Sequence, residues 1–527
     1  MHPSAHTDTF TRDSLPATND WPVLTFTLPE LNYPARLNCV SELLDRHIEN
    51  GNGSRTALRS PEDSWTYEEL QEKVNRIANL LVKRMGIVPG NRVLMRFPNC
   101  MLYAACYLAV MKCGGVAVPT MPLLRRKELD TIIETARIEH AICDARLTAE
   151  LPVEKLKYNV ASDELGKMMH EACADFDALQ TASDDVALIA FTSGTTGKPK
   201  GVLHFHCDVM SMCHTFCKYV LRPTPDDVFI GSPPLAFTFA LGGLLAFPLY
   251  AGASTVLIEN AMPVELAKAV EQSGATVCST APTAYKVMLA NDLADKMSSL
   301  RIAVSAGEHL PEPVYSEWLE RTGIQMIDGI GATELIHIFL SMTGEADKPG
   351  STGRPVPGYE VRIVDAALNE LPAGKEGMLA VRGPTGCKYL ADDRQTDYVR
   401  GGWNLTGDVF RRDEDGCFWY VARGDDMIIS SGYNISGPEV EGALLGHPGV
   451  AECAVVAAPD TERGNIAKAF IVLATGIEAS ESLTKELQAF VKNNIAPYKY
   501  PRAIEYVAEL PKTQTGKIQR YALRRHD

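Results

Sequence analysis

What the 527-residue chain lacks narrows its class first. It has no basic excess: 51 Lys and Arg stand against 66 Asp and Glu, a formal net charge of −15. Bulk charge therefore excludes nucleic acid as the main partner, and a small polyanion would need a local site rich in amides and cations. The chain lacks internal repeats and low-complexity tracts. Its start, Met1 to Phe10, has no basic stretch followed by an apolar one, and its thirteen Cys are scattered and odd in number. Both features give the expectation of free thiols in a reducing, cytoplasmic setting. Ser232 to Ile258 lacks charge altogether, long enough for a membrane span. Pro233, Pro234 and Pro248, with Gly242, Gly243 and Gly252, break it into short pieces, so a buried core or pocket lining is expected instead. His204, His206, Cys207, Cys213, His214 and Cys217 are metal-ligand types without the spacing of a zinc motif. On a helix Cys213 and Cys217 share a face with Met210, which predicts a core stripe.

What is present fits a globular protein with 46% hydrophobic and 22% charged residues, too long for one hydrophobic core. Short β-rich runs alternate with helical stretches, which argues for α/β layers. The spacing predicts an amphipathic helix over 70–85, a strand from Arg92, and a buried strand over 185–191, with 201–206 continuing after a turn. From Gly350 to Tyr420 the chain is dense in Gly, Pro and short β-type runs and reads as a β-rich subdomain. The last hundred residues give helix (437–446), strand (451–458), strand (467–474) and helix (482–493), a small α+β unit. The expected division is 1–424 and 425–527, with a boundary near Asp425.

The strongest local signal is the run Thr192, Ser193, Gly194, Thr195, Thr196, Gly197, Lys198, Pro199, Lys200, Gly201. Glycines let several N–H groups turn toward one anion, while hydroxyls and lysines add donors and charge, a chemistry suited to nucleotide phosphates. It is not a Walker A loop, because Pro199 follows Lys198 and the glycine spacing differs.

This decapeptide resembles the phosphate loop of the adenylate-forming superfamily, and further motifs follow in that family's order. Ser305 to Glu308 (SAGE) and Asp328 to Glu334 (DGIGATE) resemble its adenine and metal motifs, and Trp403 to Asp408 (WNLTGD) its ribose motif. Arg423 to Gly432 resembles its hinge, and Pro511 to Lys517 (PKTQTGK) its C-terminal lysine motif. One departure is Ile330, where many relatives carry an aromatic residue. The resemblance implies a large N-terminal domain joined by a hinge to a small mobile one, and a ligase using ATP, Mg²⁺ and CoA. It implies nucleotide contacts from the phosphate loop, Gly307, Glu308, Asp328, Gly329, Ile330, Thr333, Asp408, Tyr420 and Arg423. Glu334 would hold Mg²⁺. Lys517 would align the carboxylate with the α-phosphate, with Thr333 and Glu334 as the other catalytic residues. Asp425 would be the pivot, and Gly432 would line the CoA tunnel.

Within this superfamily the stretches from Pro233 and from Gly329 resemble benzoate– and 2-aminobenzoate–CoA ligases. The acid pocket is expected to be floored by Ala236, Ala306, Gly329 and Gly331 and walled by Phe237, His337 and Ile338, a slot for a flat ring. Alternatives are a medium-chain acyl-CoA ligase, an adenylation enzyme loading a carrier protein, and a nucleotide-binding regulator. No membrane span or nucleic-acid partner is expected, and the chain is read as a monomer or homodimer.

Overall fold

Thr66 starts the first long helix, Tyr67–Lys83, through a capping box. Its Oγ1 accepts from the Glu69 N–H at 3.2 Å, while the Glu69 carboxylate accepts from the Thr66 N–H at 2.7 Å. Leu70, Val74, Ile77 and Leu81 recur at helical spacing and form the buried face, packed on the helix Met101–Lys112. The computed structural model covers the whole chain, and the described residues are all but 193–198, 343–347, 425, 431–432, 461–462, 496, 513–517 and 525–527.

One sheet runs in the order Tyr158–Ala161, His140–Cys143, Arg92–Arg96, Val116–Thr120, Val186–Thr192 and Lys200–Phe205, parallel except for its last pair. Alternate residues of Arg92–Arg96 feed two cores, Val93 and Met95 one and Leu94 the other, so this central strand is apolar on both faces. Lys200–Phe205 returns antiparallel to Val186–Thr192, with Thr192 opposite Lys200. The phosphate motif thus connects two paired strands, as the expected turn requires.

A second sheet of nine strands includes Val277–Thr280, Ile302–Ala306, Met326–Gly331 and Ile338–Ser341 as neighbours. Its register sets Ser305 beside Asp328 and Ala306 beside Gly329. The expected β-rich subdomain is a five-stranded antiparallel sheet in which Trp403–Arg412 pairs with Phe418–Arg423, placing Asp408 opposite Arg423. Beyond it, Val450–Asp460 and Gly464–Leu473 pair antiparallel and Ala503–Tyr506 joins in parallel. The helices Gly437–Leu445 and Glu481–Asn494 contribute Val440, Leu444, Leu487 and Val491 to a core with Ile428, Val455 and Ile471. That core is separate from those of the larger sheets.

The uncharged run folds into short helical pieces, Thr238–Ala240, Leu241–Ala246 and Phe247–Ala251, then the strand Ser254–Val256. Among the described residues no helix is long and apolar enough to cross a membrane. Met210, Cys213 and Cys217 are buried together in the main core, as a core stripe requires. The neighbouring histidines are engaged inside the protein: His206 Nδ1 accepts from the Cys39 N–H at 3.2 Å, and His214 Nδ1 lies 3.0 Å from Tyr33 Oη.

Candidate active site

Two strands and a tight turn assemble the centre of the site. Met326–Gly331 ends, the chain passes through the short turn Thr333–Leu335, and Ile338–Ser341 returns antiparallel with Gly331 opposite Ile338. The return is close: a Cβ on Gly331 would lie 2.8 Å from the His337 carbonyl oxygen, so glycine is required there. Ile336 takes φ +65°, an unfavourable conformation for a β-branched residue, costing on the order of 1–3 kcal/mol. Hydrogen bonds hold the turn against that cost. His204 Nε2 donates to the Thr333 carbonyl at 2.8 Å, and Thr385 Oγ1 donates to the Leu335 carbonyl at 2.9 Å.

Glu334 is buried on this turn. Its Oε1 accepts from Tyr389 Oη at 2.5 Å, and Tyr389 Oη accepts in turn from Lys200 Nζ at 2.5 Å. The Lys200 ammonium lies 3.6 Å from Oε1 and 4.4 Å from the centre of the Tyr389 ring. No described residue donates to Glu334 Oε2 among these contacts, so one hard oxygen is left for a cation such as Mg²⁺, and the donor set fits that ion.

Behind the turn lies a buried polar chain. Lys388 Nζ pairs with Asp208 Oδ2 at 3.1 Å, and Asp208 Oδ2 lies 3.7 Å from His204 Nδ1. Burial alone would raise the Asp208 carboxyl, but the Lys388 charge and His204 outweigh it and hold it below its ordinary range.

The adenine-motif residues lie side by side. Gly307 takes φ +93°, and Glu308 accepts from Thr283 Oγ1 at 2.6 Å. Asp328 is buried with Oδ1 unbonded among the described residues, and burial lifts its carboxyl to about 7. Ile330 is half-buried. Tyr420 stacks on His309, with ring centres 5.3 Å apart and planes at 26°. Burial holds the Tyr420 hydroxyl well above its usual range and presses His309 down to about 4. Arg423 Nη1 donates to Asp408 Oδ1 at 3.2 Å, across the pair set by strand register. Both rings line a cavity of about 580 Å³ whose far wall includes Ser436, Glu439, Phe490 and Lys499.

Of the expected acid-pocket residues, Gly329, Gly331, His337 and Ile338 lie at the turn and its strands, and Ala306 pairs with Gly329 on the adjacent strand. Ile338 fills the space over Gly329, where a Cβ would lie 2.7 Å from Ile338 Cγ2. Ala236 and Ala306 are buried and Phe237 is half-buried. His337 is 3% exposed, with ring centres of Phe247, Phe216 and Phe239 at 4.7, 5.2 and 5.8 Å. Neither of its ring nitrogens completes a hydrogen bond among the described residues. Burial presses its pKa down to about 3, against a weaker opposing pull from the Phe239 backbone. Gly242 packs on the same ring, and a Cβ there would lie 2.5 Å from His337 Nε2.

The structure thus places Thr333, Glu334, Gly331, His337 and Ile338 on one turn and its strands, with Lys200 reaching Glu334 from the other sheet. Ala306 lies beside Gly329, and Ala236 and Phe237 lie on the separate segment that carries Phe239 to His337. Ser193, Gly194, Thr195, Thr196, Gly197, Lys198, Asp425, Gly432 and Lys517 lie outside the described residues. Sequence reasoning missed the roles of Tyr389, His204, Asp208 and Lys388 around Glu334, and of Phe216 and Phe247 around His337, whereas Phe239 and Gly242 fall in the stretch from Pro233 expected to line the pocket. The Gly242-Gly243 pair inside an apolar helical run was the one available signal, since adjacent glycines there mark a close approach.

Known proteins resemble this chain over most of its length. The AMP-binding enzyme family matches residues 44–389, and its AMP-binding enzyme C-terminal domain matches residues 439–517. The chain is 35% identical over 514 residues to the benzoate–CoA ligase of Thauera aromatica, covering 94% of this chain and 98% of that one. It is 34% identical over 527 residues to the mitochondrial acyl-coenzyme A synthetase ACSM4 of Mus musculus, covering 93% and 90%. The crystal structure of the anthranilate CoA ligase AuaEII in complex with anthranoyl-AMP superposes with a TM-score of 0.89 at 34% identity, covering 94% and 98%. These matches show that the chain belongs to the AMP-binding enzyme family and is an AMP-forming acid–CoA ligase of the acyl- and aryl-CoA synthetase branch.

Proposed function

We propose that this ligase activates an aromatic carboxylic acid, 2-aminobenzoate first and benzoate next, as its acyl-adenylate and then passes the acyl group to CoA. The observation that carries the reading is the likeness to the anthranilate CoA ligase AuaEII, 34% identical with a TM-score of 0.89. Beside Glu334 the setting is apolar and aromatic, with Ile338 packed over Gly329 and three phenylalanine rings around His337. The relatives named for benzoate and anthranilate support it.

In the first step a carboxylate oxygen of the acid attacks the α-phosphorus of ATP and pyrophosphate leaves. Lys517 aligns the two anions, and the Thr333 hydroxyl donates to the α-phosphate, both lowering the barrier through orientation and charge stabilisation. Asp408 accepts from the ribose hydroxyls, and Arg423, already beside it at 3.2 Å, donates to the same sugar. Thr192, Lys200 and the loop between them cradle the β- and γ-phosphates. Mg²⁺ on Glu334 would supply neutralising charge to those phosphates. In the second step the CoA sulfur attacks the acyl carbon, the acyl C–O bond to AMP breaks, and the thioester forms. Rotation of 425–527 about Asp425 would withdraw Lys517 and bring Gly432 to the thiol.

The test is a panel of acids scored by AMP release with and without CoA. Benzoate-type acids should exceed octanoate by at least about tenfold in kcat/KM, on the order of 1.4 kcal/mol of transition-state binding, and 2-aminobenzoate should be at least as good as benzoate. Phe237→Ala should lower aryl activity and raise alkyl activity. Octanoate outcompeting every aryl acid would overturn the aryl reading in favour of an alkyl acid, the competing assignment that the acyl-coenzyme A synthetase relative supports.

A further inference from the structure

Two consecutive residues outside the recognised motifs reach both members of the Thr333–Glu334 pair. The segment carrying them runs antiparallel to Lys200–Phe205: the Leu203 N–H donates to the Lys388 carbonyl at 2.8 Å, the Leu390 N–H to the Gly201 carbonyl at 2.8 Å, and Val202 bridges Tyr389. This pairing ties both side chains to the strand that leaves the phosphate loop. Tyr389 turns toward the nucleotide side and gives its hydroxyl to Glu334 Oε1. Lys388 turns inward, fully buried, and offsets the charge of Asp208, whose Oδ2 lies 3.7 Å from His204 Nδ1, beyond hydrogen-bond length, while His204 Nε2 holds the Thr333 carbonyl.

A buried ion pair of this kind costs desolvation and is weak evidence for stability alone. Its geometry has a use at the site, because the turn it braces carries the unfavourable Ile336 conformation and would relax without support. The Tyr389 hydroxyl likewise occupies one named carboxylate oxygen, which fixes the rotation of Glu334.

We propose that Lys388 and Tyr389 are positioning residues for Mg·ATP: Tyr389 locks Glu334 with Oε1 engaged and Oε2 presented, while Lys388, through Asp208 and His204, holds the Thr333 peptide in register with it. The proposal rests on the ligase reading of this site. It uses groups on three separate stretches of chain, 200–208, 333–334 and 388–389, joined by these contacts.

The experiment is calorimetric binding of ATP to the full chain across a magnesium titration, with and without chelator. Tyr389→Phe keeps the ring under Lys200 and removes only the hydroxyl. It should raise the magnesium concentration at half-saturation by about tenfold or more, with a smaller change in ATP binding in chelator, where only the lost Lys200 contact counts. His204→Leu should weaken Mg·ATP binding by about tenfold, and His204→Gln, which can still donate to the Thr333 carbonyl, should restore most of it. A parental magnesium midpoint in Tyr389→Phe would overturn the Glu334 half, and His204→Gln binding as poorly as His204→Leu would overturn the Thr333 half. A parent chain that binds ATP equally with magnesium and with chelator would overturn the proposal. One that binds ATP under neither condition would sink the ligase reading itself.

Discussion

Glu334 and His337 lie three residues apart on one turn, both buried, and their surroundings are opposite. Glu334 sits in a chain of partners, with Tyr389 and Lys200 on its carboxylate and His204 on the adjoining peptide. His337 sits in a box of three phenylalanine rings with neither nitrogen bonded among the described residues. A buried polar group without a partner costs about 1–3 kcal/mol, so the two ends of the turn are built on different terms. The Glu334 end is held by partners within the chain. The His337 end holds an unmet polar group, which under the proposed function a substituent on the acid would satisfy, in keeping with the proposed preference for 2-aminobenzoate.

The comparison breaks most sharply at Glu334. Glu334→Gln preserves size and an acceptor for Tyr389 but removes the charge. ATP–pyrophosphate exchange should fall by about 10²–10³, as for loss of a fixed electrostatic group at a reacting phosphate. Exchange at the parental rate would mean that the ordered carboxylate network serves only the fold.

At the acid end, crowding is the sharper tool. Gly242→Ala would place a Cβ 2.5 Å from His337 Cδ2 and Nε2 and 2.8 Å from Phe247 Cζ. The ring must move, and denaturant unfolding should show a loss of about 1–3 kcal/mol, with aryl activity falling alongside it. Gly243→Ala is the milder neighbour, its Cβ meeting Ser279 Oγ at 3.0 Å. Equal effects from both would place the constraint in the helix backbone and not in the His337 box.

How much of this was legible follows the same division. Strand–loop–strand order, the β-rich subdomain and the C-terminal elements are local patterns, and their bounds came within a few residues. The helix expected from residue 70 begins at Tyr67 because Thr66 and Glu69 form a capping box, a signal present in the sequence and passed over. Thr333, Glu334, Asp408 and Arg423 were legible because each sits in a contiguous motif. Tyr389 was not, since its partner lies 55 residues away and is reached only through strand pairing. His204 stood out as a metal-ligand type, whereas its bond is to a carbonyl 129 residues away. Phe216 and Phe247 are buried core residues and Phe239 packs half-buried against them, and only tertiary packing turns the three rings around His337.

The smallest expected effect isolates the unbonded ring by its protons. Burial holds His337 near 3 in the folded chain, against an ordinary value of 6.5 once unfolded. Between those two values the unfolded chain binds a proton that the folded chain does not. The stability contributed by keeping this ring neutral is therefore complete above about pH 6.5 and is lost as pH falls toward 3. One such group gives up about 1.4 kcal/mol between pH 7.5 and 5.5. His206, lowered to about 3, and His214 and His309, lowered to about 4, act in the same direction, so the parent chain should be acid-labile from several sites. His337→Phe keeps a flat ring in the aromatic box and removes one share of that lability. Denaturant unfolding at the two pH values should show the variant losing about 1.4 kcal/mol less than the parent chain. Equal losses would mean that His337 takes up its proton while folded. The aromatic box would then be open to water, and the contrast with Glu334 would not hold.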